Sequence, residues 1–157
     1  MDYDLASDLR ALPAILPASY TTDQTSSALN TASYGYKSLT LALHLGVGGI
    51  TFDGTDRIDV KVTHSDDDST YADVTSDDII LPYGATAVAT GGIVKSLIAL
   101  HAAAEVFLVG YIGKKQYVKV KYDFAGTHGS GTILGASWIL SHPMSAPYVL
   151  SAMPDMV

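Results

Sequence analysis

The chain has 157 residues, a formal net charge of −7, five histidines and no cysteine. That length carries one domain with a core of its own, and the missing cysteine excludes disulfide staples, thiolate metal sites and cysteine nucleophiles together. Charged residues make up 16% of the chain, and its nine Lys and Arg form no cluster larger than Lys114-Lys115; without a basic stripe to grip a phosphate backbone, no nucleic-acid partner is expected.

Residues 1–37 read as an arm. Leu5, Leu9 and Leu12 stand at helical spacing, but Pro13 and Pro17 stop a helix after a turn or two, and 18–27 is polar and turn-prone. Leu9, Leu12, Ile15, Leu16 and Tyr20 give this arm enough apolar surface to lie on a neighbouring subunit, so they are the expected partner-binding residues, and deleting residues 1–24 is expected to leave a folded domain. The opening MDYDLASDLR has no basic start followed by an apolar run, and no stretch approaches the roughly 20 unbroken apolar residues that span a bilayer. A soluble chain made in the cytoplasm, with no membrane partner, is expected.

A short strand is expected near 26–31. From Ser38 the pattern is regular: Leu39, Leu41, Leu43 and Leu45 alternate with Thr40, Ala42 and His44, the period of a strand with one buried face. Ile58, Val60 and Val62 repeat it, and an acidic turn from Ser65 to Thr70 follows. Residues 71–81 read as a short edge strand and a loop, and 94–100 as a strand after Gly91-Gly92, with a helix running into the alanines at 102–104 as the alternative. Val106 to Tyr111, Tyr117 to Phe124 and Thr132 to Ser141 read as three strands joined by short loops, the first pair a hairpin turning at Gly113-Lys114-Lys115, together a meander that must bury one face against a second sheet. With turn signals about every ten residues, seven or eight strands predict an all-β fold: a single antiparallel β-sandwich, jelly-roll-like domain over 38–143. The tail 144–157 carries two more prolines and apolar residues, among them Tyr148, which joins the partner-binding set.

Few residues here invite chemistry. Fifteen of the sixteen acids are Asp, a residue that favours turns over helices and strands. Asp66, Asp67 and Asp68, with Asp73, Asp77 and Asp78 nearby, have the oxygens a hard cation wants, yet their spacing fails the helix-loop-helix calcium pattern, and a solvated hairpin tip accounts for them as well. His44, His64, His101, His128 and His142 stand on different elements without metal-ligand spacing. Gly135-Ala136-Ser137-Trp138 lies inside a strand pattern and is no nucleophile elbow, and the run from Gly91 to Ser96 lacks the Gly-Lys-Ser/Thr of a phosphate loop. Trp138, Tyr111, Tyr117, Tyr122 and Phe124 suit core packing better than a carbohydrate platform. No catalytic residue, metal or cofactor is assigned, and the chain is not expected to be an enzyme.

Several short pieces in order carry a resemblance: 35–39 (GYKSL), 64–74 (HSDDDSTYADV), 109–120 (VGYIGKKQYVKV) and 140–143 (LSHP). Over about residues 35–143 the chain resembles a family of small virion proteins of tailed bacteriophages, encoded among the head genes. The resemblance implies a β-sandwich decoration, or cement, protein on the capsid exterior, made in the host cytoplasm, forming a homotrimer and bridging subunits of the major capsid protein. A neck, tail or fibre-base component and a carbohydrate-binding adhesion module are the alternatives. The glycine usual after the acidic pair is replaced here by Asp68.

Overall fold

Leu39, Leu41, Leu43 and Leu45 are all buried, while Thr40 and His44 between them are half-buried. The period-2 alternation is thus realised as a strand with its leucines inward. The computed structural model describes residues 8–82, 87–99 and 103–144, and these residues form two antiparallel sheets packed together as a β-sandwich.

In chain order the strands are β1 (Leu9–Tyr20), β2 (Gln24–Thr25), β3 (Leu29–Asn30), β4 (Tyr36–Leu45), β5 (Arg57–Ser65), β6 (Ala72–Asp73), β7 (Ile79–Ile80), β8 (Ile93–Leu97), β9 (Glu105–Tyr111), β10 (Tyr117–Ala125) and β11 (Thr132–Pro143). The first sheet runs β1-β11-β4-β9-β7. The second has β10 and β5 at its centre, with β2 and β3 pairing β10 on one side and β6 and β8 pairing β5 on the other. Between the sheets lie Leu41, Leu43, Val109, Leu134, Trp138 and Leu140 from the first and Ile58, Val60, Val62, Val118, Val120 and Tyr122 from the second, each at most 2% exposed. Tyr122 crosses the gap: its hydroxyl donates to the carbonyl of Gly135 on the opposite sheet at 2.6 Å, which satisfies a polar atom that burial would otherwise penalise.

Two expectations are corrected. The first is the arm. Leu9–Tyr20 is a sheet strand, antiparallel to β11, with no helical turn. Leu12 stands opposite Trp138, Ile15 opposite Ala136 and Ala18 opposite Leu134, so three residues of β1 span two of β11, and the register shifts between Pro13 and Ile15 and again between Ile15 and Ala18. Each bulge adds one residue and turns the strand period of two into an apparent spacing of three, which imitates a helix. The prolines that seemed to break a helix sit on the edge strand, where a missing N–H is tolerated. The boundary at 37/38 is replaced accordingly: β1 to β3 belong to the sandwich, and β4 already begins at Tyr36.

The second is the meander. β9 and β10 are successive but lie in different sheets, and β11 returns to the first. The loop after β9 is a crossing, pinned by the N–H groups of Ile112 and Gly113 on the Asp78 carbonyl at 2.8 and 3.1 Å. Alternation shows that a strand buries one face; it does not name the strand beside it. The outward residues hold the clue, because those of β9 (Val106, Leu108, Gly110) are apolar and those of β10 (Lys119, Lys121, Asp123) are charged. Residues alike in period thus belong to different outer surfaces.

Candidate functional site

The acidic turn is organised by its own chain. Asp67 Oδ1 accepts from the N–H groups of Thr70 and Ser69, both at 2.9 Å, and from Ser65 Oγ at 2.8 Å. Those donors, the backbone of Thr70 first, hold its carboxyl well below the usual carboxylate range. Asp66 pairs with Lys115, and Asp68 takes the Tyr71 hydroxyl and lies 3.8 Å from Lys119. Asp68 has φ 57°, the left-handed conformation for which glycine is the default and Asp a tolerated substitute. Among the described residues no group of three His, Asp or Glu is placed to hold a metal ion.

The four described histidines do not converge. His64 is buried, with Nδ1 3.0 Å from the Tyr111 hydroxyl, and burial pushes that phenol up to about 12. His128 bonds the Ala125 carbonyl at 2.9 Å, and His142 lies 3.2 Å from Ser141 Oγ. His44 Nε2 lies 3.4 Å from Ser137 Oγ on the open face of the first sheet. His101 is outside the described residues. Of the aromatic residues weighed as a carbohydrate platform, Trp138, Tyr111 and Tyr122 are in the core.

Of the expected partner-binding residues, Ile15 is 6% exposed and built into the chain's own core, and Leu12 and Tyr20 pack against that core. Leu16 and Leu9 remain exposed, at 68% and 39%. Tyr148 lies outside the described residues. The five described residues do not form one surface.

The feature that sequence reading missed is the contrast between the two outer faces. On the second sheet, Lys61, Lys119, Lys121 and Asp123 stand outward from β5 and β10. Lys121 meets Asp123 at 2.5 Å and Asp23 at 2.7 Å, Lys61 also pairs with Asp123, and Arg57 meets Asp59 at 3.0 Å. Lys121 and Lys61 together hold the Asp123 carboxyl at about 2, and Asp123 with Asp23 raises the Lys121 ammonium in turn. This face is a solvated lattice of alternating charge.

The outer face of the first sheet has no such lattice. Read across by register, one row is Ile80, Gly110, Thr40, Ile139 and Ala11, the next Leu108, Ala42, Ser137 and Pro13, and the next Val106, His44 and Gly135 with Leu16 and Pro17 in the bulge. None of these is Asp, Glu, Lys or Arg. Ile80, Val106, Leu108 and Ile133 are 47–59% exposed. The small residues let neighbours lie across them: a Cβ at Gly135 would fall 3.1 Å from Pro17 Cα, and one at Gly110 3.3 Å from Ile80 Cβ. A groove of about 240 Å³ runs along one end of the face between Pro17, His44, Val106, Ile133 and Gly135, with Glu105 also in its lining. At the other end of β4 a more polar hollow of about 540 Å³ is lined by Thr31, Tyr36, Ser38, Tyr111 and Met144.

No known family matches the chain, and no curated protein matches it at a significant level.

Proposed function

We propose that this chain is a structural subunit of a tailed-bacteriophage particle, seated on the capsid exterior as a decoration protein that bridges subunits of the major capsid protein. The observation that carries the reading is the contrast between the outer faces, together with the order of short motifs over 35–143. A subunit fixed to a shell needs one side suited to dry contact and another suited to water. The uncharged face of the first sheet and the ion-paired face of the second meet those needs. Contacts of modest strength suffice for such a role, since each is repeated at every copy around the shell.

The residues weighed for chemistry favour this reading over an adhesion module, because the aromatic side chains a sugar would stack on are largely core. Quantitative mass spectrometry of purified particles tests it. Hundreds of copies per particle support head decoration. A dozen or fewer move the chain to the neck or tail, and absence from the particle overturns the proposal.

A further inference from the structure

We infer that the outer face of the first sheet is a self-association surface, and that its occupant is the same face of a second copy related by a two-fold axis. The inference does not rest on the particle reading; it makes the dry contact of that face a contact between two copies, so that in a particle the pair would meet the shell through other surfaces.

The face is large enough. Four long strands spaced about 4.8 Å apart, read over the seven residues of β9 at about 3.3 Å each, make it roughly 19 Å by 23 Å, or about 440 Å² in plan, with the two-residue β7 adding Ile80 at its edge. That stands within the roughly 300–600 Å² that the largest apolar patch of a monomer covers. Two such faces together remove about 880 Å² in plan, and more in accessible area because ridged side chains interdigitate, which brings them to the roughly 1,000 Å² that a specific interface requires.

The chemistry of the face also fits its own copy. A two-fold contact uses the same patch on both partners, so the patch must not repel itself. Rows of residues without Asp, Glu, Lys or Arg meet that condition, Glu105 at the groove's rim being paired with Lys95 at 3.7 Å, and the charged outer face of the second sheet, with Lys61 beside Lys121 in register, is far less suited to it. Stacked sheets lie about 10 Å apart, with side chains interlocking. Leu108 and Val106 project as ridges, and the groove beside Gly135 and His44 is the complementary hollow. A three-fold ring would instead require two different complementary patches, and this single continuous face supplies one.

The test is the mass of the full chain in solution by size-exclusion chromatography with light scattering over a wide concentration range. The expected mass is twice the 16.5 kDa of the chain. Leu108→Glu places a carboxylate from each copy within the two-fold contact and is expected to weaken association at least about 100-fold, which yields single chains with an unchanged circular dichroism spectrum. Should that variant lose its sheet signal, Ile133→Glu, at a separate row, provides the same readout. Thr63→Glu on the other face is expected to leave the mass doubled. A single-chain mass at every concentration overturns the inference, as does a three-chain mass, or a doubled mass in both Leu108→Glu and Ile133→Glu. A chain that doubles only after residues 145–157 are removed overturns it too, since the face would then be covered by its own tail.

Discussion

Ile15 and Leu16 are neighbours in sequence with opposite fates in the structure, and truncating each to alanine tests whether β1 belongs to the domain. Ile15 is 6% exposed and faces the core opposite Ala136, whereas Leu16 is 68% exposed in the adjoining bulge. Ile15→Ala removes three buried carbons, worth about 2.4 kcal/mol at about 0.8 kcal/mol each, and the incompletely filled space they leave brings the cost to about 3 kcal/mol. In a chain of this size each kcal/mol lowers Tm by about 2–4 °C, so the expected drop is about 6–12 °C. With both substitutions made in the single-chain Leu108→Glu background, where the outer face is open, Leu16→Ala is expected to stay within about 0.5 kcal/mol of the parent, as exposed substitutions do. Urea unfolding followed by circular dichroism, with thermal melts in parallel, gives both quantities. Equal and negligible effects of the two substitutions would refute the placement of β1, because a dangling arm makes no distinction between them.

Deleting residues 1–24 removes β1 and uncovers Trp138 and Leu134 on β11, so the truncated chain is expected to aggregate or melt far below the parent in a thermal-shift assay, and a stable soluble product would contradict the sheet order. Tyr122→Phe loses the cross-sheet bond to Gly135 and is expected to cost about 1–2 kcal/mol in urea unfolding with the fold retained. Gly92→Ala puts a side chain at φ 67° with its Cβ 2.5 Å from the Val62 carbonyl, so a loss of at least about 2 kcal/mol is expected by the same assay. Asp123 is held at about 2 when folded against an ordinary 3.8. Its contribution is therefore full above about pH 4 and is lost as pH falls through about 2. Asp123→Asn is expected to flatten the fall in stability across that window in an acid titration of unfolding.

Much of the sandwich was legible because β4, β5 and β10 alternate without interruption, the trace a half-buried strand leaves, and because β11 is a nearly continuous apolar run. β1 was hidden for a physical reason: two bulges at prolines gave Leu12, Ile15 and Ala18 the spacing of a helix. The sheet to which each strand belongs was hidden for another, since β9 and β10 both bury one face and differ only in what they turn outward. That outward chemistry also marks the candidate surface. Val106 and Leu108 were read as strand formers, and Lys119 and Lys121 as the wet side of a strand, both correctly. The contrast becomes a surface only when β9, β4, β11 and β1 are laid side by side, a register that strand patterns alone do not contain.

The account stands on the uncharged face of the first sheet being covered in the working form while the ion-paired face stays wet. Carbene footprinting of the native wild-type chain against Leu108→Glu measures this directly at Val106 and Ile133, with Lys61 and Lys119 as the reference. The expected labelling at Val106 and Ile133 is several-fold lower in the wild type, with equal labelling at the two lysines. Equal labelling at Val106 and Ile133, or protection found at the lysines instead, would contradict it.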